Sequence, residues 1–274
     1  MPKWASDQDL WPTPSGYADK YTPSKAGIVE FGHFAQHLAW LLRGKVLAYE
    51  AWNEPNLGVY LYPQRTDSKD GAGTWVFPNV AHTRTWAVDH YVAMLKQFYQ
   101  GVKDPDGDPA ALVVGGCTSP IGCDDYWRTS PQTFAKELAA AGAGEYFHVY
   151  DHHPYTPGDS KDMRPEAAPS DPKTTVQLEN LSTLHKRFPG KQFYLTEQFY
   201  LTEYGYNTST RLVFGGARVS QVEQAAYLKR AFAHAARFDR VKLICWYQLK
   251  DVSPTDKVTD GRGIDMGLRK VRAL

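Results

Sequence analysis

The chain alternates short apolar runs with longer segments in which apolar residues recur at helical spacing. This alternation is typical of βα units around a parallel sheet, because each strand of such a sheet is reached through a crossover helix. The predicted helices are 24–43, 83–101, 131–142, 174–187 and 220–238. The predicted strands are 45–52, 111–116, 146–150, one within 192–203, and 241–249.

Long irregular segments follow several of the predicted strands. Segments 56–82, 117–130 and 152–173 are rich in Pro, Gly and Asp, as loops are. Polar and aromatic residues cluster just past the carboxyl ends of the predicted strands, which is where (β/α)8 barrels carry their active sites. The pattern predicts a single α/β domain over residues 1–274.

Net charge and hydropathy limit the classes of partner that the chain is expected to bind. The 31 basic and 30 acidic side chains nearly cancel, which argues against nucleic acid or an acidic membrane surface as a partner. No run approaches the roughly 18 apolar residues of a membrane span. The start, Met1 to Trp4, lacks the apolar core of a signal peptide. The cellular location is left unknown by these features.

The three cysteines are too few for a disulfide framework. Cys117 and Cys123 are close enough in sequence for a local bridge, whereas Cys245 lies in an apolar run and is predicted to be a buried free thiol. No Cys/His cluster has the spacing of a zinc site, so neither a metal nor a cofactor is predicted.

Two carboxylates follow widely separated strands. Glu54 lies in the run Trp-Asn-Glu-Pro after strand 45–52, and Glu203 lies in Leu-Thr-Glu-Tyr-Gly. Glycoside hydrolysis needs one carboxyl group that protonates the leaving oxygen and another that attacks the anomeric carbon or activates water. Alone, Asn-Glu-Pro is equally consistent with an ordinary strand-to-loop turn.

Four motifs in order extend this pattern. Residues 49–56 (YEAWNEPN) resemble the acid/base motif that ends the fourth strand of clan A glycoside hydrolases, and 201–205 (LTEYG) resemble their seventh-strand nucleophile motif. Residues 151–155 (DHHPY) are similar to the segment after the sixth strand, and 245–248 (CWYQ) to the eighth-strand segment. The resemblance covers roughly residues 2–250.

This resemblance implies a retaining O-glycosidase that acts on β-linked saccharides, with Glu54 as general acid/base and Glu203 as nucleophile. Asn53 would bind the sugar 2-OH, and Trp246 would stack under the sugar. His153 and Tyr155 would orient the nucleophile and touch the substrate, and Trp4 would border the cleft. The implied substrate-binding set is Trp52, Asn53, His153, Tyr155 and Trp246.

A tandem duplication complicates the nucleophile. Residues 192–197 and 198–203 both read QFYLTE. The preceding Pro-Gly-Lys favours Glu197, whereas the following Tyr-Gly-Tyr-Asn favours Glu203. Because six is even, both registers put the same side chains on the same face of the sheet. We take Glu203 as the nucleophile, with Glu197 as the alternative.

The chain is shorter at its start than the family pattern. Three βα units normally precede the acid/base strand, but 45 residues precede Val46. The expected fold is therefore an incomplete (β/α)8 TIM barrel of about five βα units, equivalent to strands 4–8.

Such a sheet cannot close as a barrel and exposes strand edges, so a homo-oligomer is expected. The alternative function is a catalytically impaired remnant that binds carbohydrate or acts as an oligomeric scaffold. The resemblance also implies secretion.

Overall fold

The computed structural model describes residues 3–7, 10, 20–195, 204–208 and 218–247. These residues form a mixed α/β structure around a parallel sheet whose five strands lie side by side in chain order. Crossovers between parallel neighbours are almost always right-handed, so sequential order keeps the connecting helices on one face of the sheet. The strands are β1 (Ala48–Glu50), β2 (Leu112–Thr118), β3 (Val149–His152), β4 (Gln192–Leu195) and β5 (Val241–Ile244).

A helix precedes each strand. Helices α1, α3 and α5 begin after a serine whose side chain accepts a hydrogen bond from a backbone N–H of the first turn, at Ser24, Ser130 and Ser220. The helices are α1 (Lys25–Leu42), α2 (Trp86–Lys103), α3 (Pro131–Ala140), α4 (Ser182–His185) and α5 (Gln221–Ala235), with short 3₁₀ turns at Lys3–Ala5, Ala143–Tyr146 and Leu178–Asn180.

The predicted helix over 174–187 is wrong. The segment holds a 3₁₀ turn and then the four-residue α4. Its first residues are held by local side-chain bonds instead, because Asp171 accepts hydrogen bonds from Lys173 and Thr174. Gln177 and Asn180 then form a capping box that starts only the short 3₁₀ turn at Leu178. Such bonds compete with helical hydrogen bonding.

Two strands also have bounds that differ from the predicted ones. Strand 146–150 starts late, at Val149, because Ala143–Tyr146 forms a 3₁₀ turn. The predicted strand 45–52 contracts to Ala48–Glu50, because the chain turns sharply at Trp52.

Side-chain alternation divides the packing between the two faces of the sheet. Tyr49, Val113 and Tyr150 point toward the helices and join the main core. A smaller apolar cluster on the opposite face contains Ala48, Val114 and Val149. Because side chains alternate along a strand, Asp151 and His153 continue the line of Val149 and lie on this opposite, inner face.

All three cysteines are free. The local bridge between Cys117 and Cys123 is therefore wrong: Cys117 is buried at the end of β2, while Cys123 is exposed in the loop beyond it. Cys245 is a free thiol as predicted, but only partly buried. None of the helices in the described ranges is long and apolar enough to cross a membrane.

Candidate active site

The backbone turns sharply after β1 to present Glu54. Trp52 and Glu54 both have positive φ angles, 74° and 37°. A non-glycine residue in this region costs about 1–3 kcal/mol and persists only where its surroundings enforce it. The side chain of Glu54 is 9% exposed, so the turn places a carboxyl group in a nearly enclosed position at the carboxyl end of the sheet.

Asn56 holds this turn in place. Its buried side-chain amide donates to the Thr129 carbonyl at 3.0 Å, and its side-chain oxygen accepts from the Ser119 N–H at 2.8 Å. The Thr129 N–H in turn donates to the Asn56 carbonyl at 2.9 Å. Gln64 donates to the Pro55 carbonyl at 2.8 Å. The loop after β1 is thereby tied to the loop after β2.

His153 joins Glu54 to Asp151. Its Nδ1 lies 3.0 Å from Glu54 Oε1, and its Nε2 lies 3.2 Å from Asp151 Oδ2. The side chains of His153 and Asp151 are completely buried. Burial alone would lower the pKa of His153, but the two carboxylates outweigh it and hold that pKa well above its ordinary value. The imidazole ring therefore lies between the carboxyl groups of Glu54 and Asp151.

The neighbouring His152 is different. Its side chain points to the other face, where it contacts Thr118 at 2.9 Å and the Val176 carbonyl at 3.1 Å. Burial lowers the pKa of His152 to about 3, so this ring is neutral. The pKa values of the two adjacent histidines are thus shifted in opposite directions, because only His153 meets carboxylates.

A possible metal-binding cluster lies on the same inner face. Glu50, Cys117 and Asp151 offer ligand atoms within 4.8 Å of one another. Burial, followed by the charges of Glu50 and Asp151, raises the pKa of Cys117 well above its ordinary value. The thiolate, not the thiol, binds metals, and Asp151 already contacts His153. We therefore assign no metal to these residues.

Aromatic residues gather beyond β3 and β5. Tyr155 stacks on Tyr204 with ring centroids 6.5 Å apart, and Trp246 meets Tyr204 edge-on at 6.0 Å. The Tyr247 N–H donates to the Tyr204 carbonyl at 3.0 Å, while Tyr206 contacts Tyr204 and Thr156 through its hydroxyl. The structure therefore brings Tyr155 and Trp246 together around the residue that follows Glu203.

Both candidate nucleophiles, Glu197 and Glu203, lie outside the described residues. Strand β4 is formed by the first copy of the repeat, at Gln192–Leu195. Its Tyr194 pairs with Asp151 of β3, and its Leu195 pairs with Ile244 of β5. The first copy of the repeat therefore provides the strand between β3 and β5.

The remaining predicted residues have distinct surroundings. Trp52 is partly buried, and its indole N–H donates to the Tyr60 carbonyl at 3.1 Å. The buried side-chain oxygen of Asn53 has no hydrogen-bond partner among the described residues. Trp4 is 63% exposed and lines a cavity of about 660 Å³ against α1, together with Phe31, Phe34 and Trp52.

Two contributors to the site were undervalued by sequence reasoning. Asn56 and Asp151 were predicted only as members of their motifs, without a role of their own. A signal for Asp151 is present, since Asp-x-His at a strand end puts both side chains on one face. No sequence signal identifies the loop that Asn56 bonds, because its partners lie 63 to 73 residues away.

No protein-family model matches the chain, and no curated protein matches it. Several solved structures, in contrast, match the chain. A hyperthermophilic β-glucosidase mutant, described as dodecameric in its crystal form, is 17% identical, with a TM-score of 0.51, over 99% of this chain and 62% of its own. The β-glucosidase from Pyrococcus furiosus is 16% identical, with a TM-score of 0.50, over 99% and 59%.

GH10 from Paenibacillus barcinonensis is 14% identical, with a TM-score of 0.50, over 98% of this chain and 68% of its own. The resemblance to clan A glycoside hydrolases holds at the level of the fold. The chain is a mixed α/β protein with a partial parallel sheet and barrel-type neighbours. It spans about three fifths of the length of the two β-glucosidases.

Proposed function

We propose that this chain is a retaining glycoside hydrolase for β-linked saccharides, built on five βα units equivalent to strands 4–8 of a (β/α)8 barrel. The observation that carries the proposal is Glu54, which is nearly enclosed at the carboxyl end of β1 and bonded to His153 from the end of β3. Catalytic groups of such barrels come from the ends of different strands at this face.

In the proposed reaction Glu54 protonates the leaving oxygen while Glu203 attacks the anomeric carbon. The glycosyl-enzyme then reacts with water, whose proton Glu54 removes. This double displacement requires the two carboxyl groups to lie about 5–5.5 Å apart. The unbonded side-chain oxygen of Asn53 would accept a hydrogen bond from a sugar hydroxyl. Trp52, Tyr155 and Trp246 would provide apolar surfaces for the sugar.

The choice of Glu203 rests on Tyr204. Adjacent Cα atoms are about 3.8 Å apart, and Tyr204 contacts Tyr155 and Trp246. Glu203 immediately precedes Tyr204 in the sequence, which supports its choice as the nucleophile. Glu197 remains the alternative, because it is two residues beyond the end of β4.

Three Glu→Gln variants test this assignment. With a panel of nitrophenyl β-glycosides, we expect E203Q to lower kcat/KM and E54Q to lower kcat, each by roughly 10²-fold or more, and E197Q to stay near wild type. E145Q, at an exposed glutamate on the 3₁₀ turn before β3, controls for the substitution itself. Loss of activity in E197Q with E203Q unaffected would transfer the nucleophile to Glu197.

The acid/base role has its own signature. A nitrophenolate leaves without protonation, so E54Q should form the glycosyl-enzyme and then stall, because water lacks its general base. Azide needs no proton removed and should restore turnover in E54Q, giving a glycosyl azide. E203Q should show no such rescue.

The catalytically impaired remnant is the second candidate, because the described part of the sheet has five strands, whereas a closed barrel of this type has eight. An open sheet would lack part of a pocket wall, and catalysis requires groups held to within about 0.5 Å. Oligosaccharide binding by calorimetry, with no hydrolysis of any nitrophenyl glycoside, would support the remnant and refute the hydrolase.

Self-association through helix α1 is proposed as well. One face of α1 exposes Val29, Phe34, Trp40 and Leu41, with fractions between 44% and 57%. The outer side of a surface helix is normally polar, and contiguous apolar patches mark interfaces. We assign this face to contact with a second copy of the chain.

The sequence of α1 suits an antiparallel pairing across a two-fold axis near Phe34. Residues equally far from the axis then meet, so that Glu30 faces His37 of the second copy and Leu41 faces the small Ala26. The matched sizes of Leu41 and Ala26 favour this arrangement, and a two-fold axis repeats each contact.

A further inference from the structure

Asp151, His153 and Glu54 contact one another in series. The inference drawn from this arrangement rests on the proposed function of Glu54. We infer that Asp151 is a positioning residue whose charge keeps His153 protonated against Glu54, so that the imidazolium stabilises the carboxylate which Glu54 becomes after giving up its proton. Asp151 touches neither substrate nor Glu54 in this scheme and acts only through His153.

Geometry carries the inference. The three groups contact one another in series: Asp151 Oδ2 lies 3.2 Å from His153 Nε2, and His153 Nδ1 lies 3.0 Å from Glu54 Oε1. A neutral imidazole has one N–H, whereas an imidazolium has two and carries a positive charge, so it can donate to Glu54 and also form an ion pair with Asp151. The side chains of His153 and Asp151 are fully buried, so water does not compete for either contact.

Backbone hydrogen bonds and strand pairing fix the positions of these three residues. Asp151 belongs to β3 and pairs with Tyr194 of β4, while the His153 N–H donates to the Thr118 carbonyl of β2 at 2.9 Å. Glu54 is fixed through the turn that Asn56 anchors. Each of the three residues therefore stands on backbone that is bonded to a neighbouring strand or loop.

The surrounding charges reinforce the need for a cation. Asp151 shares the inner face with Glu50 of β1 and Cys117 of β2. The charges of Asp151 and Glu50 also act on Cys245, after β5, whose pKa is raised by burial first and by these carboxylates second. The neighbouring His152 is neutral. A positive charge on His153 thus lies beside a group of acidic residues that favours it.

The proton balance follows directly. In the first step the proton moves from Glu54 to the leaving oxygen, and the new carboxylate faces an imidazolium that keeps both of its own protons. In the second step Glu54 takes a proton from the attacking water, and His153 is again unchanged. His153 therefore stabilises charge without exchanging protons, as fixed dipoles and cations do in preorganised sites.

The first test observes His153 directly and needs no hydrolysis. In protein labelled with ¹⁵N at histidine, assigned with H153Q, the imidazolium signals of His153 should persist in the wild type at about pH 8, above the ordinary range of histidine. They should be lost at that pH in D151N, which keeps the shape of Asp151 and removes its charge. D108N is the control, since Asp108 is a buried carboxylate that bonds Gly44 instead.

The second test measures coupling. We expect D151N and H153Q each to lower kcat/KM by roughly 10²-fold, the scale of a misplaced catalytic group. The double variant should lose no more than H153Q alone, because Asp151 acts through His153.

Three outcomes overturn the inference: a neutral His153 in the wild type, imidazolium signals unchanged in D151N, or additive losses in the double variant. If the wild type hydrolyses no glycoside, the proposed function fails, and the histidine spectra still decide whether Asp151 holds the charge on His153. Circular dichroism of D151N separates an effect on the site from unfolding.

Discussion

Glu137 on α3 shows how burial of one carboxyl group sets a pH dependence. Its Oε2 is buried without a hydrogen-bond partner in the described part of the chain. Burial raises the pKa of Glu137 to about 7, with the charge of Asp124 acting in the same direction and that of Arg65 opposing it. The folded chain therefore binds a proton more tightly than the unfolded chain.

The sign of the resulting stability change is fixed by linkage. Because the folded pKa of Glu137 lies above its ordinary 4.5, the free energy of unfolding falls as the pH rises from about 4.5 to 7. We expect E137Q to have a higher melting temperature than wild type near pH 7 and an equal one near pH 4.5. E145Q, an exposed glutamate nearby, should show neither effect; equal gains for E137Q at both pH values would contradict the account.

The residues of the candidate site differ in how much of their position and contacts could be predicted from the sequence. Glu54 was identified because its motif is local. Tyr155 and Trp246 were predicted individually, but their meeting around Tyr204 is a property of the fold. The position of His153 was predicted and its partner was not: the sequence expectation was the nucleophile, while the structure shows a contact with Glu54.

At the scale of elements, helices with local start signals were predicted well. Helix α5 begins where Ser220 and Glu223 form a capping box, each side chain bonding the other residue's backbone. Ser24 and Ser130 cap α1 and α3 similarly. In segment 174–187 the helical spacing of apolar residues predicted one long helix, but the chain forms a 3₁₀ turn and the short α4. There the prediction failed.

The cap of α5 gives an element-scale prediction. We expect S220A to lower the free energy of unfolding by about 1 kcal/mol, because an N–H of the first turn loses its acceptor. K229A, an exposed substitution in the middle of the same helix, should change it by less than about 0.5 kcal/mol. Chemical denaturation followed by circular dichroism measures both, and equal effects would argue against the cap.

At the scale of the whole molecule, the proposed α1 contact predicts a concentration-dependent dimer in sedimentation velocity. Trp40 is 57% exposed, and tryptophan truncation at interfaces commonly costs about 2 kcal/mol, or roughly thirtyfold in Kd. We expect W40K to shift the chain to monomer without unfolding it.

V222K is the matched control for W40K. Val222 is 82% exposed on α5 and lies outside the proposed contact, so V222K should leave the dimer intact. A folded wild-type monomer at all concentrations would refute the contact, and dimers unchanged by W40K would move it to another face.

The sequence by itself determined the alternation of helices and strands, the starts of the capped helices and the candidacy of Glu54. These follow from periodicity, capping and short motifs, all of which act within a few residues. Tertiary structure alone decided which copy of the repeat forms β4, and it alone joined Asp151, His153 and Glu54 into one line. Those outcomes depend on register between strands and on charges brought together by burial, and neither is encoded within a local segment.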